Sequence, residues 1–172
     1  MAKPDQRTLT RTALIVALTL VFQSLRLVIP LLPVMSTFLI GSLVNACLLV
    51  ALETVGLSAA MAVALIAPVA AYLQQLLPVP VFIVPVAAGN VILVLIFRAL
   101  IAKGRWAAIG VAALGKTAFL YGAFAWLLSF IQINPKMAAG ILAVMSWPQF
   151  VTALLGGLLA TLAVKRLKAW QR

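Results

Sequence analysis

Histidine is absent from the sequence, acidic residues are limited to Asp5 and Glu53, and cysteine occurs once, at Cys47. The lack of histidine excludes imidazole acid–base chemistry and the usual zinc sites. A single carboxylate inside the apolar part of the chain, with no paired acids, leaves little for catalysis, so the chain is not expected to be an enzyme. No cofactor or metal is expected either. A lone cysteine within an apolar run excludes an internal disulfide and a cysteine cluster, and Cys47 reads as core packing.

Charge is scarce as well: 9% of the 172 residues are charged and 66% are hydrophobic. With a mean hydropathy of +1.23, no water-soluble domain of this size has enough polar surface to cover its apolar content. The expectation is an all-α, polytopic membrane protein forming one integral-membrane domain over residues 1–172. At about 20 apolar residues per span, the length accommodates roughly six transmembrane helices with short loops. Runs bounded by charge, proline and glycine place them at about 8–29, 38–56, 57–77, 81–102, 107–130 and 147–165. The first run is as long as the others and has no small-residue cleavage site, so it reads as a span rather than a signal peptide.

The net charge of +11 reads as topology, and no nucleic-acid partner is expected. With six spans, Lys3, Arg7 and Arg11, then Arg98, Lys103 and Arg105, then Lys165, Arg166, Lys168 and Arg172 fall on one side of the bilayer. Only Arg26 and Lys136 fall near the other. The positive-inside rule puts both termini in the cytoplasm. The outer connections, 30–37, 76–81 and 130–147, each contain proline, which ends helices and stiffens links. Pro68 and Pro85 lie within spans and predict kinks that face protein.

The letters GVAALGKT at 110–117 match the phosphate-binding pattern G-x-x-x-x-G-K-[ST]. That motif needs a preceding strand and an acidic magnesium ligand, and neither is present. Lys116 instead falls about 15 Å inside the fifth span, near mid-membrane. Two roles are open to it: a functional cation facing a polar cavity, or a charge that snorkels inward or pairs with Glu53. Glu53, near the inner end of the second span, is either a proton-coupling group or a counter-charge to the basic face.

In the first span, Ala13 and Ala17 form a small-xxx-small pair that lets another helix approach closely. Gln23 and Arg26 share a face farther out, and Arg26 is either a cavity residue or an interfacial anchor. Further polar groups lean outward: Asn45, Gln74, Gln75, Asn90, Tyr121, Trp126, Trp147 and Gln149. A terminal tryptophan serves either the lipid interface or a stacking platform. Together with Arg26 and Lys116 these residues suggest an outward-opening pocket with a few placed polar groups. In the stretch QQLLPVPVFIVPVAAGN, 74–90, Pro78 and Pro80 would form a stiff lid. Pro85 would kink the fourth span, Gly89 would make room, and Asn90 would supply an amide about 13 Å below its start.

The alanine pair, the basic ends, six short spans and the run GSLVNACLLVALETVGLSAAMAVALIAPVAAYLQQLLPVPVFIVPVAAGN together resemble the substrate-binding S-component of energy-coupling-factor vitamin transporters. The resemblance implies a subunit of the bacterial plasma membrane that captures a vitamin or related micronutrient from outside. It implies partners in trans, a transmembrane coupling subunit docked on Ala13 and Ala17 and two cytoplasmic ATPases. It also implies a pocket built on the fourth to sixth spans, where Asn90, Tyr121, Trp126, Trp147 and Gln149 lie. Arg26 and Lys116 have no counterpart in that pattern. A cation in an otherwise neutral pocket would favour a substrate bearing a carboxylate or phosphate. Two other functions fit the composition: a stand-alone proton-coupled transporter using Glu53, and a membrane scaffold.

Overall fold

The computed structural model describes residues 5–28 and 33–170. Among them are seven α-helices and no strand: α1 (Gln6–Val28), α2 (Pro33–Thr54), α3 (Leu57–Leu73), α4 (Ile83–Leu100), α5 (Arg105–Leu128), α6 (Pro135–Val144) and α7 (Trp147–Trp170). A 3-10 turn, Pro80–Phe82, leads into α4. Five segments are long and apolar enough to cross a membrane: α1, Met35–Thr54, Pro80–Leu100, α5, and Pro135–Ala169, which takes in α6 and α7; α3, at 17 residues, is shorter. This is compatible with a multi-pass membrane protein. The outer surface fits that environment, because Leu14, Leu65, Val84, Leu114 and Leu162 are each more than half exposed.

Several boundaries differ from those expected, the last span for instance running to Trp170 rather than 165. The second span starts at Pro33, so residues 33–37 are helix rather than connection. The third ends at Leu73, not 77, because Gln75 takes a left-handed φ of 58°. The Gln75 N–H bonds to the Tyr72 carbonyl and the Leu76 N–H to the Ala71 carbonyl, each at 2.9 Å, the pairing of a Schellman stop. The connection at 130–147 contains a helix of its own, α6. The Asn134 side chain accepts from the Lys136 N–H at 2.9 Å, and Pro135 holds the first helical position, where a missing N–H costs nothing. Of the positions named above, Lys3, Arg172 and residues 30–32 of the first outer connection lie outside those described.

Pro85 lies too near the start of α4 to interrupt its hydrogen-bond ladder. It falls in the first turn of that helix, where no intrahelical acceptor is lost. Pro68 is a true interior proline of α3. Lacking an N–H, it releases the Ala64 carbonyl four residues earlier.

The core is rich in alanine: Ala51, Ala59, Ala60, Ala64, Ala108, Ala112 and Ala113 are buried with Cys47, Leu48, Leu93 and Phe97. Small side chains let helix backbones approach closely, and in lipid it is such packing, rather than exclusion of water, that holds helices together. α2 makes its widest contact with α7, and α4 with α5. A second cluster of Leu77, Phe82, Leu120 and Phe124 is covered by Ile141, Leu142 and Met145 from α6 and its end.

Hydrogen bonds identify which helix ends meet. Arg105, opening α5, clamps Glu53 near the end of α2 through two bonds of 2.6 and 2.8 Å, and also reaches Thr161 of α7. At the opposite end Arg26 of α1 bonds Ser36 of α2 at 2.8 Å, and Gln74 after α3 bonds Ser24 of α1 at 3.0 Å. Glu53 thus neutralises Arg105 and does not pair with Lys116.

Candidate functional site

Lys116 lies in the middle of α5 and is 4% exposed. Its Nζ donates to Asn45 Oδ1 at 2.6 Å and to Asn90 Oδ1 at 2.9 Å. Both amides are buried as well. A charge here would be costly without such partners, and the geometry shows why the amides face it oxygen first.

Asn45 Nδ2 donates to Thr152 Oγ1 at 3.4 Å, while that hydroxyl donates its proton to the Gln149 carbonyl at 3.0 Å. The hydroxyl can then only accept from Asn45, which turns the Asn45 oxygen toward Lys116. Asn90 Nδ2 donates at 3.5 Å to the Ala64 carbonyl, the one released by Pro68. An interior proline of α3 therefore orients an amide of α4. Close packing fixes the rest. A Cβ on Gly156 of α7 would stand 2.5 Å from the Asn45 Cβ and 2.9 Å from the Ser42 carbonyl, so only glycine lets α7 lie this near to Asn45. On α4, a Cβ on Gly89 would stand 2.8 Å from Leu120 Cδ2, so Gly89 does make room beside Asn90.

These groups form one wall of a cavity of about 180 Å³. Asn45, Asn90 and Lys116 line it together with Gln23, Arg26, Thr37 and Gln149. Apolar residues complete the lining, among them Ile40, Pro68, Leu76, Val86, and Val144 and Met145 at the end of α6. The Gln23 side chain is 5% exposed. Its Nε2 donates to the Ala67 carbonyl at 3.0 Å, and its Oε1 is buried with no hydrogen-bond partner.

Of the residues singled out in the sequence, Gln23, Arg26, Asn45, Asn90, Lys116 and Gln149 thus meet at one cavity. The others do not. Gln74 is tied to Ser24 outside the lining. Gln75 is exposed and flanks a separate depression with Tyr72 and Pro78. Tyr121 and Trp126 are 50% and 65% exposed. Trp126 borders an apolar groove with Val84 and Phe119 and lies edge-on to Phe130. Trp147, 63% exposed, packs on Phe38 with ring centroids 5.6 Å apart. Rotation alone warned against Tyr121, since five residues along a helix place it about 140° from Lys116.

Sequence reasoning missed Thr152 and the cavity contribution of α6. Thr152 carried a readable signal: it stands three residues beyond Gln149, one helical turn along the same face. Gly110 to Thr117 is helical throughout, so its backbone N–H groups are not arranged as a phosphate cradle. Ala13 and Ala17 are both exposed on α1.

Comparison with protein families, with curated proteins and with solved structures found no match to this chain.

Proposed function

We propose that the chain is the substrate-binding subunit of an ATP-driven importer of the energy-coupling-factor type, with both termini cytoplasmic in a bacterial plasma membrane. The observation that carries this reading is the buried Lys116, held by Asn45 and Asn90 at the wall of a cavity inside an apolar helical bundle. Polar groups converging on a concave, mostly apolar space are the ordinary form of a small-molecule site. A scaffold has no use for a buried cation that requires three further side chains to orient it. A proton-coupled carrier would need Glu53 free to change its protonation, whereas Glu53 is held by Arg105 through both carboxylate oxygens.

Two further features support the importer. The outer face of α1 exposes Leu14, Leu18 and Val21 beside Ala13 and Ala17, a close-approach surface for a coupling subunit. In this reading ATP hydrolysis belongs to two partner ATPases, in keeping with the helical state of Gly110 to Thr117.

Co-expression with a coupling subunit and its ATPases tests the proposal. The chain should co-purify with them and support ATP-dependent uptake. Ala13→Trp and Ala17→Trp should abolish co-purification while leaving the isolated chain folded. A chain that never associates with such partners, or that transports alone, sinks the proposal.

A further inference from the structure

The cavity carries enough chemistry to define what it accepts. We infer that its occupant is a compact organic acid. Its carboxylate is met by Lys116 and Arg26, and a neutral hydroxyl or amide N–H is donated to Gln23 Oε1. The inference rests on the cavity being the substrate site of the proposed importer.

Charge is the first argument. The lining holds two cations and no carboxylate. The chain's acids are Asp5, before α1, and Glu53, which is committed to Arg105. A cationic occupant is repelled, and a neutral one leaves both charges without a counter-charge.

Donor count is the second. An ammonium has three N–H groups, and two of those on Lys116 are used on Asn45 and Asn90. Arg26 donates Nε–H to Ser36, which leaves its Nη groups to meet one carboxylate oxygen. One oxygen on each cation satisfies a carboxylate. The third oxygen and second charge of a phosphate find no further cation in the lining.

Gln23 supplies the third, independent argument. Its Nε2 is fixed on the Ala67 carbonyl, so its orientation is set, and Oε1 remains as a buried acceptor without a donor. An unsatisfied buried acceptor is costly, and an occupant bearing a donor removes the cost. The donor is neutral because an ammonium would stand beside two cations. Size is the fourth. At about 180 Å³ the cavity is well under the pockets of about 300–1,000 Å³ that enclose drug-sized ligands.

Three probes of nearly equal size separate these elements: lactate, with carboxylate and hydroxyl; propionate, with carboxylate alone; and lactamide, with hydroxyl but no charge. Calorimetric titration of the purified full chain in lipid nanodiscs should give lactate an affinity about tenfold above each of the other two, the equivalent of one net hydrogen bond or more. Gln23→Met should erase the preference for lactate over propionate while keeping both bound. Lys116→Met and Arg26→Gln should weaken lactate and propionate alike and leave lactamide unchanged. If Lys116→Met does not remain monodisperse, Arg26→Gln decides the point. Equal affinity for lactate and propionate overturns the donor, with water then serving Gln23. Lactamide binding as tightly as lactate overturns the anion, inorganic phosphate outcompeting lactate overturns the carboxylate, and no heat from lactate at millimolar concentration overturns the inference altogether. A chain that assembles with its ATPases but prefers lactamide keeps the importer and loses the acid. One that prefers lactate but never assembles does the reverse.

Discussion

Asn45 and Asn90 each use their amide N–H on a group that can only accept, so that their oxygens are committed to Lys116. The lysine is consequently a tenant of a polar framework contributed by α2, α3, α4 and α7, and the cost of breaking that framework depends on whether the charge is still there. Asn45→Leu should lower stability by about 1–2 kcal/mol, the range for a hydrogen bond to a charged group tempered by the modest values found between membrane helices. In a Lys116→Met background the same change should cost less than half as much, because the group left unpaired has gone. Denaturation of the four proteins in detergent measures the cycle, and equal costs in both backgrounds would show that Asn45 acts by packing on Gly156 alone.

Among the elements, α3 shows how much of the fold the sequence allowed to be read. Its existence and its buried Pro68 were legible from an apolar run with a single interior proline. Its end was not, because the usual stop signal is glycine and here a glutamine takes the left-handed position. Gln75 is exposed and makes no side-chain hydrogen bond in the structure, so Gln75→Gly should relieve the unfavourable backbone conformation and raise stability by about 1 kcal/mol. A shift of the thermal midpoint upward, with unchanged affinity for lactate, checks this; a fall in the midpoint refutes it. The helix α6 was written in Asn134 and Pro135, a cap and a first-turn proline, but proline in a short connection reads equally well as a stiff loop. Site residues divided for a related reason. The helices are apolar on nearly every side, so periodicity does not announce which face is inward, and only polar groups deep within a span, such as Asn45, Asn90 and Lys116, declare themselves. Tyr121, Trp126 and Trp147 lie toward span ends where lipid headgroups attract the same residue types.

At the scale of the whole molecule, the length of α3 would impose an asymmetry on a surrounding bilayer. Its 17 residues rise about 25 Å, some 5 Å short of a typical hydrocarbon core, whereas α5 and α7 have 24 residues each. In a bilayer, lipid beside α3 would have to thin or the bundle to tilt, at a cost of fractions of a kcal/mol per ångström. Stability in phosphatidylcholine bilayers of increasing chain length should therefore decline once the hydrocarbon core exceeds the reach of α3, the longer α5 and α7 being accommodated by tilt. A protein indifferent to chain length would mean that the turn after Leu73 stays within the hydrocarbon layer. On the first outcome, the short flank makes membrane thickness a determinant of where this protein resides and of how readily it leans toward a neighbour.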